Sequence, residues 1–378
     1  MRRSAAGGAV LCLAALSAAA ASGPAATPAP PLADVRASLF LIGDAGVPAA
    51  SDPVLAELTK QAARDPARSL IAFLGDNIYP RGMPAAQAPG RKDAERRLRA
   101  QIDAARASGA PAIFVPGNHD WADRGSGWEG IKRQGAFVAE HAGGTAALVP
   151  ADGCPGPVVH DLGERLRVVA LDTEWWLYRG QKPVHPTSSC PADSEEEVLE
   201  ALANALRSAG ERRVVVVAHH PLASGGTHGG NFTWSDHLFP LRARHPWLWI
   251  PLPGVGSGYP MARQRGVSNQ DMSGALNRRM RAALAGVFTK HPPLVYAAGH
   301  EHNLQVLKGR ETPYLLVSGA GAFGHLTPAH DTSATLFART ASGFMRVDVD
   351  KNGEARLAVV VVPGRGRAPT EAFARILD

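Results

Sequence analysis

Cysteine is scarce in this chain, with three among 378 residues. Cys12 lies in an apolar N-terminal segment, which leaves only Cys154 and Cys190 beyond it. A thiolate-rich structural zinc site or an iron–sulfur cluster is therefore not expected. Aromatic residues are also few, at 6%, and no dense lysine and arginine run is interleaved with them, so nucleic acid is not an expected partner. No internal repeat of about 20–50 residues is present.

The N-terminus has the features of an export signal. Arg2 and Arg3 precede an apolar, small-residue segment at 5–21 that ends in an Ala-x-Ala pattern. This order predicts a signal peptide at residues 1–21 and export to the periplasm or the medium. A retained membrane anchor is the alternative, although 17 residues are short for a span of about 20. Residues 22–34, rich in Ala and Pro, are predicted to form a flexible linker.

Five apolar, β-branched runs each stop at a glycine or alanine and are followed at once by side chains that can bind metal. They are LFLIGDAG (39–46) with Asp44, LIAFLGDNIY (70–79) with Asp76, Asn77 and Tyr79, IFVPGNHD (113–120) with Asn118, His119 and Asp120, VVVVAHHP (214–221) with His219 and His220, and LVYAAGHEHN (294–303) with His300 and His302. Such runs are typical of strands buried on both faces. In open α/β sheets, the carboxyl ends of the strands form the ligand crevice.

The chemistry of these side chains restricts the metal. Carboxylates, an amide, a phenol and imidazoles form a mixed oxygen and nitrogen set, which suits catalytic Zn, Fe or Mn rather than Ca or Mg. About seven candidates are too many for one ion. Two ions about 3.5–4 Å apart, bridged by a shared carboxylate, would use all of them.

Taken together and in this order, the motifs GDAG, GDNIY, GNHD, AHHP and GHEHN resemble those of the calcineurin-like metallophosphoesterases. The resemblance covers residues 39–321, including VSGAG near its end. The branch most similar is the purple acid phosphatases, especially the small tartrate-resistant type. The wider superfamily has Asp-x-His in the first motif, whereas this chain has Asp44-Ala45-Gly46, and Tyr79 supplies a phenol in place of the missing imidazole.

The resemblance implies a set of ligands for two metal ions. The first ion would be held by Asp44, Tyr79, His302 and a bridging Asp76, and the second by Asp76, Asn118, His219 and His300. Because a phenol ionises readily only beside strong positive charge, Fe(III) is expected at the first position. The second ion would be divalent Fe, Zn or Mn. Pro221 identifies His219 as the ligand of its motif, which leaves His220 without a role.

The resemblance also implies the chemistry. A hydroxide bound to metal would attack the phosphorus of a phosphate monoester. His119, oriented by Asp120, and His228 would stabilise the phosphate or protonate the leaving oxygen. Two alternatives stay open: a phosphodiesterase or nucleotide pyrophosphohydrolase on the same scaffold, and a secreted binding protein with a vestigial metal site. The complete ligand set argues against the second alternative.

The predicted fold class is α/β, because strands and helices alternate. Asp52-Pro53 and the capping box Ser194–Glu197 predict helix starts, and Gly109 a helix end. The resemblance implies a four-layer αββα sandwich of two mixed β-sheets flanked by helices. Because the motifs interleave, residues 35–378 are predicted to form a single catalytic domain.

An insertion at about 231–290 distinguishes this chain from the small phosphatases that it resembles. Its part at 238–259 is rich in aromatic residues and prolines, which predicts a lid or specificity loop near the active-site mouth. Packing on the core or contact with a membrane surface are the alternatives.

Charge and the two remaining cysteines complete the predictions. The net charge of +6 favours a small anionic phosphoester as substrate. In an exported protein, Cys154 and Cys190 could form a disulfide, with two free thiols as the alternative.

Overall fold

A computed structural model describes residues 28–122, 127–186, 188–243, 245, 247–364 and 366–378. Within these ranges the chain forms fourteen strands. They are β1 (Val35–Ile42), β2 (Ser69–Phe73), β3 (Ala112–Phe114), β4 (Ala146–Leu148), β5 (Val158–Leu162), β6 (Leu166–Ala170), β7 (Arg213–Val217), β8 (Val295–Ala298), β9 (Leu304–Lys308), β10 (Tyr314–Ser318), β11 (Thr335–Arg339), β12 (Gly343–Asp350), β13 (Ala355–Val361) and β14 (Thr370–Leu377). The predicted signal peptide lies outside the described residues.

Nine α-helices accompany the strands in the described ranges. They are α1 (Pro53–Ala62), α2 (Arg91–Ser108), α3 (Asn118–Trp121), α4 (Gly127–Ala142), α5 (Glu174–Leu177), α6 (Glu195–Arg207), α7 (Trp234–Leu238), α8 (Gly258–Gln264) and α9 (Ala275–Lys290). Local sequence explains several ends. The Asp52 carboxylate accepts the N–H of Val54 at the start of α1, and Ser194 and Glu197 form the predicted capping box of α6. Helix α2 ends at Gly109, whose φ of 73° suits glycine.

Two seven-stranded mixed sheets form the framework. The first has the order β14-β13-β12-β1-β2-β3-β4, and the second β11-β9-β10-β8-β7-β6-β5. Strands β1 to β4 run parallel to one another, as do β6, β7, β8 and β10. The remaining pairs are antiparallel. Each sheet therefore contains four adjacent parallel strands, whose carboxyl ends point the same way.

Three apolar clusters define the layers. The central cluster combines residues of both sheets, such as Leu41, Val217 and Val347, and so lies between them. The second covers the outer face of the first sheet with α1, α2 and α4. The third covers the outer face of the second sheet with α5, α6 and α9. The predicted four-layer sandwich of two mixed sheets flanked by helices is thus confirmed.

Three smaller features bear on the predictions for the cysteines, the linker and a membrane anchor. Cys154 and Cys190 form a disulfide. At the end of the predicted linker, the Ala29 N–H donates to the Ala374 carbonyl on β14 and the Ala29 carbonyl accepts from Arg356, so this part of the segment is held against the sheet. Among the described residues, no helix is both long enough and apolar enough to cross a bilayer.

Candidate metal centre

The motif side chains follow the parallel strands of both sheets. Asp44 follows β1, Asp76 and Tyr79 follow β2, and Asn118 opens α3 just after β3. His219 follows β7, and His300 and His302 follow β8. Because the parallel strands of both sheets end at this side of the sandwich, residues from distant parts of the chain meet there.

The backbone is strained where these residues are placed. Asp44, Asp76 and His300 have φ values of 56°, 55° and 71°, a region that non-glycine residues rarely adopt. Such strain is concentrated at functional sites. Gly117 allows a close approach, because a Cβ there would collide with the main chain and carboxylate of Asp76.

One group of donor atoms surrounds Asn118 Oδ1. His219 Nε2 lies 2.9 Å from it and His300 Nδ1 lies 3.0 Å from it, while the two ring nitrogens are 3.1 Å apart. Asp76 Oδ1 is 3.5 Å from His219 Nε2. Ligands about 2 Å from one ion lie about 3 Å from each other, so these spacings suit a shared cation.

Hydrogen bonds on the far side of each ring select the tautomer. His219 Nδ1 is 2.8 Å from the Leu74 carbonyl, and His300 Nε2 is 2.8 Å from the Gln270 carbonyl. A carbonyl only accepts, so these nitrogens carry the protons and donate. In the neutral rings, the other two nitrogens then turn lone pairs toward one another and toward the Asn118 oxygen. Converging lone pairs repel unless a cation lies between them, and the donor set therefore fits a metal ion.

A second group of donor atoms surrounds the Tyr79 hydroxyl. This hydroxyl donates to Asp44 Oδ1 at 2.8 Å and lies 3.0 Å from His302 Nε2, which is itself 3.4 Å from Asp44 Oδ1. All three side chains are largely or fully buried. Carboxylate, phenol and imidazole thus meet at ligand spacing here too.

Asp76 lies between the two groups. Its Oδ1 accepts the His119 N–H at 2.8 Å and faces His219, and its carboxylate also interacts with the Tyr79 hydroxyl. The donor atoms of Asp44, Asp76 and His219 all lie within 4.8 Å of one another. This is the position that a bridging carboxylate requires.

The electrostatics of the metal-free chain show what a cation would change. Burial raises the pKa of Asp44 to about 7. Burial also raises the pKa of the Tyr79 phenol above its usual range, and the Asp44 carboxylate adds to that shift. Burial opposes ionisation of Asp76, but His219 and His119 outweigh it and lower its pKa to about 2. A nearby metal cation would favour the ionised forms of all three groups.

The structure corrects the role predicted for Asp120. Its carboxylate does not face the His119 ring; it accepts N–H groups of Asn77, Ile78 and Gly117. His119 Nδ1 instead lies 2.8 Å from the Pro80 carbonyl, which orients the ring. Asp120 therefore ties the second motif to the third and does not touch the reacting groups.

The two predicted catalytic histidines flank the centre. His119 Nε2 lies 4.0 Å from Asp76 Oδ2, and its side chain is 36% exposed. The His228 ring lies against the His300 ring, with centroids 4.0 Å apart, and its side chain is 26% exposed. Both rings are thus partly open to solvent beside the candidate ligands.

Two residues beside the centre escaped the sequence prediction. His325 stacks on His302, with centroids 4.0 Å apart, and meets the edge of Tyr79. Glu301 accepts the main-chain N–H groups of His228 and Gly229, and so holds their loop. His325 lies just beyond VSGAG and Glu301 within GHEHN, so position beside a motif was the available signal.

His220, unassigned from the sequence, belongs to a buried network. Its Nδ1 lies 2.9 Å from the Thr173 hydroxyl, and its Nε2–H donates to Gln270 Oε1 at 2.8 Å. The Gln270 amide in turn donates to the Glu174 carboxylate. The network supports the neighbouring His219 and leaves His220 with partners on both ring nitrogens.

Comparison with known proteins agrees with this site. Residues 38–304 match the calcineurin-like phosphoesterase family, which is well over half of the chain. The chain belongs to that family and is therefore a metallophosphoesterase whose fold provides candidate ligands for two metal ions. No curated protein matches the sequence.

Two solved structures share the fold. GAP50, titled the anchor in the inner membrane complex of Plasmodium, is 16% identical with a TM-score of 0.51, covering 91% of this chain and 89% of that chain. Purple acid phosphatase PPD1 from yellow lupin (Lupinus luteus) seeds is 14% identical with a TM-score of 0.51, covering 89% of this chain and 53% of that chain. At these identities, the similarity establishes the architecture alone.

Proposed function

We propose that this protein is an exported phosphatase that hydrolyses phosphate monoesters at a two-metal centre. The observation that carries the proposal is the meeting of two donor groups at Asp76. In the proposal, Asp44, Tyr79 and His302 hold one ion, and Asn118, His219 and His300 hold the other, with Asp76 shared. These candidate ligands follow strands of both sheets, and packing of the core alone does not require them to meet.

The metals of the proposal are Fe(III) and a divalent Fe, Zn or Mn. Tyr79 supports Fe(III) for two reasons. Its hydroxyl lies 2.8 Å from Asp44 Oδ1, a spacing that suits two ligands of one ion, and the first motif has no histidine. When bound, the ions supply charge neutralisation for the phosphate and a water of lowered pKa. They would also reverse the shift that burial imposes on the Tyr79 phenol.

His119 and His228 act on the substrate in this proposal. Both rings lie beside candidate ligands and remain partly exposed, so an ester entering from solvent would meet them. His119 Nδ1 donates to the Pro80 carbonyl, which turns Nε2 toward Asp76 and the centre. Each ring can donate a hydrogen bond to a phosphate oxygen or a proton to the leaving alkoxide.

The first experiment combines elemental analysis, a visible spectrum and a substrate panel. We expect two metal ions per chain, a broad tyrosinate–Fe(III) absorption band and faster turnover of monoesters than of diesters. Faster turnover of diesters or nucleotide pyrophosphates would favour the phosphodiesterase alternative. Bound metal without turnover of any ester would favour the binding protein.

Asp76→Ala is the sharpest single variant, because Asp76 belongs to both donor groups. It should lose both turnover and stoichiometric metal. Asp65→Ala is a suitable control, since its carboxylate is exposed and, among the described residues, pairs with Arg68 alone. Full turnover by Asp76→Ala would end the proposal.

Export is supported by the Cys154–Cys190 disulfide, since such bonds persist mainly in oxidising compartments. The proposed export signal at 1–21 lies outside the described residues. Cell fractionation with N-terminal sequencing would test it: a cleaved chain in the periplasm or medium is expected, and an intact cytosolic chain would refute it. Retention of the segment would make the protein membrane-anchored.

The insertion exposes several aromatic side chains, including Trp234, Trp247 and Trp249. Contact with a membrane surface through 238–259 stays an alternative to a lid. Sedimentation with anionic vesicles would decide between them, because a lid alone predicts no binding.

A further inference from the structure

The insertion supplies two charged residues that meet behind His228. The His228 Nδ1 atom lies 2.9 Å from Asp271 Oδ1 and 3.0 Å from Arg263 Nη2. Both partners lie far along the chain from His228, at the end of α8 and in the turn before α9. We propose that Asp271, held by Arg263, positions the His228 ring for the reaction, so that the insertion is part of the catalytic site. This inference rests on the proposed phosphatase function.

Arg263 holds the Asp271 carboxylate in place independently of its contact with His228. The Arg263 guanidinium forks onto both carboxylate oxygens, with Nε 2.9 Å from Oδ2 and Nη2 bonded to Oδ1. The Asp271 side chain is only 3% exposed. A buried carboxylate of this kind is costly unless it is paired, and Arg263 provides that pairing. The pair therefore forms a rigid support rather than a mobile surface contact.

The His228 ring needs this support because the hydrogen bonds within its own loop reach the main chain of His228 and not the imidazole. His228 lies between Gly226, Gly229 and Gly230, and Glu301 accepts its main-chain N–H at 2.8 Å. Within the described residues, Asp271 is the one side chain that accepts a hydrogen bond from the ring: Nδ1–H donates to Asp271 Oδ1, and Arg263 Nη2, itself a donor to the same oxygen, lies beside it. With Nδ1 occupied, Nε2 is left as the ring atom that can serve the substrate.

The same turn also supports a candidate ligand. The carbonyl of Gln270, next to Asp271, accepts from His300 Nε2 at 2.8 Å. The Met272 N–H donates to the His228 carbonyl at 2.9 Å. Residues 270–272 thus hold both His228 and His300, whose tilted rings lie with their centroids 4.0 Å apart.

The test compares Asp271→Ala and Arg263→Gln with His228→Ala, using whichever ester the parent hydrolyses fastest. Loss of the partner that orients a metal-bound histidine typically costs about 10–100-fold in activity, and we take the same scale for His228. We expect kcat of Asp271→Ala to fall by about that factor, with KM and metal content close to those of the parent. The double variant Asp271→Ala/His228→Ala should be no slower than His228→Ala, because both changes remove one function. Asp271→Glu should restore part of the rate.

Arg265→Gln is the matched control. Arg265 lies two residues from Arg263, is exposed, and makes no side-chain hydrogen bond within the described chain. Its kcat should stay within about twofold of the parent. A further readout is the leaving group: Asp271→Ala should slow an alkyl phosphate more than p-nitrophenyl phosphate, since p-nitrophenolate departs without a proton.

The outcomes separate the inference from the function. Parental kcat in Asp271→Ala, together with a slow His228→Ala, would overturn the positioning role and leave the phosphatase standing. Additive losses in the double variant would also overturn it. If the parent hydrolyses no ester, a crystal structure of Asp271→Ala still decides, because an unmoved His228 ring refutes the inference and a rotated ring supports it. Urea unfolding of Arg263→Gln shows whether a loss reflects misfolding.

Discussion

Replacing Asp120 with asparagine should destabilise the protein although the side chain keeps its size. The Asp120 carboxylate accepts hydrogen bonds from four donors: the Asn77 main chain and amide, the Ile78 main chain and the Gly117 main chain, at 2.9–3.1 Å. It is fully buried, so no water can replace these bonds. Asparagine has one oxygen where aspartate has two, and its amide must face at least one of these N–H groups.

The magnitude follows from that count. In the better orientation of the amide, the Ile78 N–H is left facing a donor, which costs about 1–3 kcal/mol. Loss of the charge adds no further cost, because burial and Asp76 already disfavour the ionised carboxylate in the folded protein. We therefore expect the free energy of unfolding to fall by about 2 kcal/mol. At the usual unfolding entropy per residue, this lowers Tm by about 3 °C for a chain of this size.

Urea unfolding of the metal-free protein at pH 8 measures this effect. Burial and the neighbouring Asp76 raise the pKa of Asp120 to about 7, against the opposing N–H donors, so the carboxylate is ionised at pH 8. Asp65→Asn is the control, because its exposed pair with Arg68 contributes at most about 1 kcal/mol. A loss below 1 kcal/mol for Asp120→Asn would show that the carboxylate does not hold the second and third motifs together.

Two further predictions concern metal and pH. Tyr79→Phe should remove the visible absorption band of the iron-loaded protein while its far-UV circular dichroism stays parental, because only the hydroxyl contacts Asp44 and His302; a persisting band would mean that another group is the chromophore. In the metal-free chain, burial lowers the pKa of five histidines and raises that of three carboxyls. These are His160, His220, His300, His302 and His325, and Asp44, Asp120 and Asp172. Below the ordinary histidine pKa of about 6.5 the unfolded chain binds more protons, and above it the folded chain binds more, so urea unfolding in chelator should show maximal stability near pH 6.5. A steady rise in stability from pH 6.5 to 8 would contradict these shifts.

Much of the fold could be predicted because its central strands are short, wholly apolar runs. Strands β2, β7 and β8 are buried along nearly their whole length, and each run in the sequence ends where its strand ends. The edge strands gave no such signal. β11 is half-buried throughout, and β14 mixes charged and apolar residues, because one face or edge of each meets solvent. Their pairing depends on the partner strand and not on their own composition.

The candidate site was predictable in part for a related reason. Side chains that directly follow a buried parallel strand must appear at the sheet edge, so the positions of Asp44, Asp76, His219 and His300 follow from the strands alone. The directions in which these side chains and their neighbours point do not follow from the strands. The pairing of Asp120 with Gly117 and Ile78, and of His119 with the Pro80 carbonyl, depends on how two loops cross. An acidic residue beside a histidine in sequence does not show which group each one faces.

The insertion shows the same limit more clearly, because one stretch of sequence contains three different structures. Helix α9 buries Met280, Leu284 and Phe288 against the second sheet and so is one of the sandwich's own layers. The aromatic segment before it is largely exposed. Among the described residues of the insertion, only the short part between them forms hydrogen bonds with His228 and His300, through Asp271 and the Gln270 carbonyl. A lid covering the whole site would need the aromatic residues to make those contacts. The short part makes them instead, so we expect deletion of 241–253 to leave small-ester turnover intact while loss of Asp271 does not.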